Sequence, residues 1–335
     1  MSLKVVGTGD SFQFVKDESK PYVDPAPTEN SKGGTEMMLQ GLKDRIDPDL
    51  LDQFQIITSR IRNLKKKPKI LWLHDTHDDY ENTHLSDPKS RARFEKLVFV
   101  SNWQQQLFQL QHGIDPSECL VMKNAIDPIP AHKKSQEGPI HIIYHTTPHR
   151  GLALLSASFA AITKEFPDLD IQLDVYSSFE IYGWGSKDVQ FKELFDELRS
   201  QPNVNYHGYQ ENDVVRQALQ KAHIFALPSI WPETSCISMI EAMSAGCLCV
   251  TNNFGALSET CANWAMMYPY HEDVNQHVNL FANTLAGGIH RIWDEGLQNQ
   301  LQFQKMYFDK FYNWDLRTAE WTALLRGLLE NSKND

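Results

Sequence analysis

Two glutamates, Glu233 and Glu241, stand with seven residues between them in the stretch PSIWPETSCISMIEAMSAG at positions 228–246. Ile237, Ile240 and Met243 recur there at helical spacing, and Gly246 stands where a helix stops. A helix start presents unpaired N–H groups and a positive dipole end, so it is a seat for phosphate. Phosphates repel carboxylates. Two glutamates at such a seat therefore suit hydroxyl-rich groups on either side of a diphosphate, a ribose and a sugar. A plainer reading stands beside this one: Ser238 and Glu241 have capping-box spacing, and Glu233 is merely solvated. Cys236 lies where a thiol can be acidified, or packs as a small residue.

Three other stretches carry chemistry. Arg150 follows a predicted strand in HTTPHRG, where a guanidinium can clamp a diphosphate bidentately and Gly151 permits close approach. Gly33 and Gly34 open a predicted helix, so backbone can approach a ligand with no Cβ in the way. The run HDTHDD at 74–79 follows the strand ILWL and holds two histidines and three aspartates. Such a set could ligate a metal, but one loop rarely supplies every ligand with good geometry. The GxG near residue 7 lacks the third glycine of a dinucleotide fingerprint, because position 12 is Phe.

The elements that must hold these residues alternate. Apolar, β-branched runs at 3–7, 54–59, 69–73, 97–100 and 119–123 read as strands of a first half. Runs at 140–144, 171–176, 204–207, 224–227 and 247–251 read as strands of a second half, with helices between them. Residues 10–31 are polar and proline-rich, and 128–139 read as a linker. Strands alternating with helices imply parallel, doubly wound sheets, with ligands at the strands' carboxyl ends.

At 335 residues the chain accommodates two domains. Its net charge of −11 opposes general nucleic-acid binding. Five cysteines with no Cys-x-x-Cys pair suit a reducing compartment. No run reaches membrane-spanning length and no signal-peptide pattern is present, so a cytoplasmic location is expected. The basic run at 60–69 could touch an anionic membrane surface, but a solvated loop is the expected reading.

The stretch 228–259, with its Pro-Ser-x-x-x-Pro-Glu, seven residues, Glu-Ala-Met-x-Ala-Gly, apolar strand and Gly…Glu loop, resembles the donor-site signature of retaining family-4 glycosyltransferases of the GT-B fold. Gly33-Gly34-Thr35-Glu36 is similar to the family's Gly-Gly-x-Glu at the first helix. Asn124-Ala-Ile-Asp127 is close to its Asn-Gly-Val-Asp, with Ala in place of Gly. Arg150-Gly151 matches the family's Lys-Gly, while His145 or Thr146 stands in place of its earlier Arg. The resemblance implies two Rossmann-like domains, 1–130 on the acceptor side and 138–310 on the nucleotide-sugar side, facing across a cleft. It also implies a closing helix, 311–335, that crosses back onto the first domain. The N-terminal half is short for the family by about one βα unit.

By the resemblance, Glu233 faces the donor sugar, Glu241 holds the ribose hydroxyls, and backbone around Thr234, Ser235, Cys236 and Ile237 touches sugar and phosphate. His74 matches the histidine beside the donor sugar, and the catalytic set is Glu233, His74 and Arg150. Gly33, Gly34 and a base-adjacent Tyr209 complete the donor side, and His77 and Asp78 are candidates for the acceptor. The expected activity is retaining transfer of a hexosyl-type sugar from a nucleotide sugar, UDP or GDP in type, to a glycan, lipid-linked or small-molecule hydroxyl, as in polysaccharide biosynthesis. Neither cofactor nor metal is expected. A sugar-nucleotide epimerase of the same architecture is one alternative, which would draw its acids and bases from the 74–79 run. A non-catalytic nucleotide-sugar-binding protein is the other.

Overall fold

The computed structural model describes residues 31–331, with the backbone of two strands inside residues 1–30. Those two, β1 (Leu3–Gly7) and β2 (Phe12–Lys16), pair antiparallel with Leu3 opposite Lys16. The polar, proline-rich composition of 10–31 predicts no strand there; the alternating FQFVK instead supplies the partner strand of a hairpin.

A first parallel sheet holds β3 (Gln55–Thr58), β4 (Lys69–Leu73), β5 (Lys96–Phe99) and β6 (Cys119–Val121) side by side in that order. The period of two along β4 explains how it is covered on both faces. Ile70 and Trp72 point into one core with Leu42, Trp321 and Leu325. Leu71 and Leu73 point into another with Phe99, Phe108 and Ile114. The helix Trp314–Asn331 supplies the first of these layers from the far end of the chain. Its Trp314, Trp321 and Leu325 share one helical face, and the Trp321 ring meets Trp72 edge-on at 4.9 Å.

The second sheet comprises β7 (Ile140–Tyr144), β8 (Ile171–Val175), β9 (Val204–Tyr206), β10 (Ile224–Leu227), β11 (Leu248–Asn252) and β12 (Met266–Tyr268). All its neighbours are parallel, in the order β12-β11-β10-β7-β8-β9. This is the doubly wound order of two βαβαβ halves, and the winding reverses between β7 and β10. The crevice outside the carboxyl ends of those two strands is where such a sheet binds ligands. Arg150 follows β7, and the glutamate-bearing loop follows β10.

Among the described residues no helix is long and apolar enough to cross a membrane. Trp321 is wholly buried between the closing helix and β4. Trp321→Ala should therefore cost about 3–5 kcal/mol of stability, read by chemical denaturation. An unchanged unfolding midpoint would show that the helix is not docked there.

Candidate active site

The loop after β10 is held from both domains. The Thr234 hydroxyl donates to the His74 carbonyl (2.8 Å), at the carboxyl end of β4. Asn124 Nδ2 donates to the Ser235 carbonyl (3.1 Å), from the segment after β6. Below the loop, Gly151 packs so closely that a Cβ there would lie 2.0 Å from the Pro228 carbonyl oxygen, and its φ of +119° is one that L side chains rarely adopt. The close approach inferred for Gly151 thus serves the loop itself.

The helix that follows runs Ile237–Ser244, with Cys236 at its N-cap and no side chain capping it. The capping box suggested by the spacing does not form. Ser238 lies inside the helix, and its hydroxyl donates to the His145 carbonyl (3.1 Å). Glu241 is buried and turned outward to Arg216, whose Nη1 donates to Oε1 at 2.7 Å. The helix start is therefore left without a side-chain acceptor, as an anion seat requires.

Glu233 is buried and ion-paired with Arg150, whose Nη1 donates to Oε1. Arg150 Nε also donates to the Thr147 hydroxyl (3.2 Å), and its guanidinium lies 5.9 Å from the Trp231 ring centroid. Burial alone would lower the Arg150 pKa, but Glu233 outweighs it and holds the group charged. Burial pushes the Glu241 carboxyl upward, and the Arg216 charge opposes that. Burial likewise pushes the Cys236 thiol well above its ordinary value, with Glu233 adding to the effect, so the helix end does not acidify it.

His74 and His145 stand at the carboxyl ends of β4 and β7. Burial lowers each pKa to about 3, so both rings are neutral. His145 therefore cannot replace the charge of an arginine at that turn. His74 packs its ring 4.7 Å from Trp72. The Nε2 atoms of both histidines are shielded from solvent with no partner among the described residues, and so are His149 Nδ1, Asn124 Oδ1 and Trp184 Nε1. Contacts tie four of their residues to residues 228–238. His74 and Asn124 bind Thr234 and Ser235, His145 accepts from Ser238, and His149 meets Trp231 edge-on at 4.9 Å. Unpaired polar atoms gathered at one crevice are what a polar ligand would satisfy.

Gly33 and Gly34 close this crevice from the N-terminal side. A Cβ on Gly33 would lie 2.3 Å from the Tyr182 ring, and one on Gly34 would lie 3.0 Å from Ile237. Lys32 continues the closure: its N–H donates to the Ile181 carbonyl (2.8 Å) and its Nζ pairs with Glu211 (2.7 Å). Tyr209 donates its hydroxyl to the same Glu211 (3.1 Å), which puts it at the rim. The His77 ring lies against Phe108, 6.5 Å between centroids, and Asp78 is exposed. The 74–79 run does not converge. Asp79 caps the turn Tyr80–Ser86, the His77 carbonyl accepts from His112 Nε2 (2.9 Å), and no metal-holding group is arranged among the described residues.

Two participants carry no signal in the sequence. Tyr182 crosses from the C-terminal domain onto Gly33, and Arg216 reaches Glu241 from the helix Asn212–Lys221. Val215 and Leu219 make that helix amphipathic. Amphipathicity says where the helix packs, not which of its cations turns inward.

Comparison with known proteins places this geometry. Residues 130–284 match the family model described as glycosyl transferases group 1. A phosphatidylinositol N-acetylglucosaminyltransferase subunit of Arabidopsis thaliana is 26% identical over 175 residues, which is 51% of this chain and 37% of the plant protein. The GPI3 subunit of the same-named transferase of Saccharomyces cerevisiae is 23% identical over 198 residues, 56% of this chain and 42% of the yeast protein. The matches thus span less than half the length of these relatives. A glycosyltransferase structure from Rickettsia africae superposes with a TM-score of 0.65 at 15% identity, covering 91% of this chain and 84% of its own. Anabaena HepE, solved with UDP and glucose, gives 0.62 at 16% identity, covering 78% and 72%. The chain therefore has a two-domain, Rossmann-like GT-B fold, and its similarity to the group 1 glycosyl transferases lies in residues 130–284.

Proposed function

We propose that the protein is a retaining glycosyltransferase that moves a hexosyl-type sugar from a nucleotide diphosphate sugar to an acceptor hydroxyl. The observation that carries this reading is the uncapped helix start at Cys236, set at the winding reversal and flanked by Arg150–Glu233 on one side and Glu241 on the other. Relatives named for N-acetylglucosaminyl transfer, and a structural neighbour holding UDP and glucose, support a sugar donor of UDP type. The acceptor is a glycan, a lipid-linked sugar or a small molecule.

As the donor's glycosidic bond breaks, positive charge develops on the sugar and negative charge on the departing diphosphate. Arg150 and the N–H groups from Thr234 to Ile237 are placed to stabilise the diphosphate, and each preorganised donor is worth on the order of 3 kcal/mol. Arg150 also holds Glu233, so one guanidinium spans the phosphate and sugar sides. Glu233 accepts hydrogen bonds from the sugar hydroxyls, and Glu241 from the ribose. His74, neutral, donates or accepts a hydrogen bond at the sugar and orients it. Front-face attack, with a donor phosphate oxygen taking the acceptor's proton, retains the anomeric configuration. Of the 74–79 run from which an epimerase would draw acids and bases, Asp79 caps the turn Tyr80–Ser86 and the His77 carbonyl accepts from His112.

Incubation with UDP-, GDP- and ADP-sugars, read as nucleotide release, tests the reading. Release that rises with added acceptor is expected, and an altered sugar without acceptor would overturn it. Glu233→Ala should lower turnover about 10²–10³-fold, by analogy with loss of a preorganised electrostatic group, with a smaller change in donor KM. Glu241→Gln should instead raise the nucleotide Kd about tenfold, a loss of about 1.4 kcal/mol.

The neutral histidines set a pH dependence. His74 and His145 have folded pKa values of about 3, against about 6.5 unfolded, so the unfolded chain binds more protons between those limits. Stability is whole above about pH 6.5 and falls as pH drops, by up to about 1.4 kcal/mol per pH unit for each histidine. Denaturation at pH 7, 6 and 5 should show this fall, and His145→Gln should make it shallower. An unchanged slope would mean that His145 is not buried neutral.

A further inference from the structure

Glu241 meets its neighbours with one oxygen. Arg216 Nη1 (2.7 Å) and Asn212 Nδ2 (3.5 Å) both donate to Oε1. No bond to Oε2 is found among the described residues. The other arm of Arg216 reaches elsewhere: Nη2 donates to the Asp127 carbonyl at 2.7 Å. Asp127 lies in the segment that joins β6 of the first sheet to β7 of the second. Both oxygens of its carboxylate accept from Arg45 Nη2 (2.8 and 2.9 Å). Arg45 in turn lies 5.0 Å from the Trp314 ring at the start of the closing helix.

We propose that Arg216 is the positioning residue for the nucleotide's ribose: it fixes Oε1 of Glu241 so that Oε2 alone faces the ribose hydroxyls, and it ties that orientation to the linker at Asp127. This rests on the reading that Glu241 receives the ribose. The physical reason is geometric. A carboxylate free to rotate about its last torsion presents either oxygen, whereas a guanidinium with two fixed bonds removes that freedom before the ligand arrives. Only 18% of the Arg216 side chain is exposed, so the pair is largely desolvated and its bonds are not freely exchanged for water. Because the second bond is to linker backbone, a change in the angle between the domains would move the arginine, and with it the carboxylate. Lysine cannot reproduce this, since one ammonium cannot hold both acceptors in a planar fork.

The test compares binding of UDP, GDP and ADP with binding of their 2′-deoxy forms, by calorimetry, in the intact chain. In the native protein the ribose form of the favoured nucleotide should bind about tenfold more tightly than the deoxy form. Arg216→Gln should weaken the ribose form about tenfold, leave the deoxy form nearly unchanged, and so abolish the discrimination. Arg216→Lys should restore it only in part. In a Glu241→Gln background, Arg216→Gln should add less than twofold, because the arginine acts through that carboxylate. Native discrimination retained in Arg216→Gln, or losses that multiply fully in the double variant, would overturn the proposal while leaving the functional reading intact. Failure of the native protein to bind any of the three nucleotides would overturn both.

Discussion

A buried carboxylate and a buried guanidinium, Glu233 and Arg150, are the pair on which the rest of the site depends. Neither charge would tolerate burial alone, since an uncompensated buried ion costs several kcal/mol. Each therefore requires the other, and their loops must be brought together from β7 and β10. The winding reversal does that by making those two strands neighbours. Gly151 beneath Pro228 then lets the two loops pack at backbone distance. A ligand carrying both a diphosphate and a sugar suits such a pair, because it offers an anion to one member and hydroxyl donors to the other.

The same matching of charge runs along the seam between the domains. Arg216 is matched by Glu241, Lys32 by Glu211, and Arg45 by Asp127. Glu259 reaches from the second domain to the start of the helix Asn102–His112. It accepts from the N–H groups of Asn102 (3.0 Å) and Trp103 (2.9 Å), with Lys123 at 3.8 Å. A carboxylate there satisfies orphan donors and the helix dipole together. Ser101 serves the next N–H, that of Gln104, so the helix is capped partly from its own domain and partly from the other. These polar contacts stand beside an apolar one, since Ile237 packs against the cores of both domains.

Much of this was legible in the residues. The fully buried runs ILWL and IFAL declare their strands because parallel sheets covered on both faces need apolar side chains on both. The helix that follows Glu233 and carries Glu241 was legible from residue types and spacing. What was not legible depends on distance along the chain. Glu259 caps a helix 157 residues earlier, and no local pattern announces it. Ser238 and Glu241 satisfy a local rule that tertiary partners override, as His145 takes one and Arg216 the other. The strand Met266–Tyr268 is too short for its alternation to show. His145 reads as a possible cation until burial strips its charge.

The central claim is that an activated sugar's diphosphate sits on the open helix start at Cys236, beside Arg150. The most direct test is a crystal structure with a nucleotide sugar bound. The account predicts diphosphate oxygens within hydrogen-bonding distance of Arg150 and of backbone N–H groups in residues 234–238, with the ribose against Glu241. A ligand seated away from both Arg150 and Glu241 would contradict it.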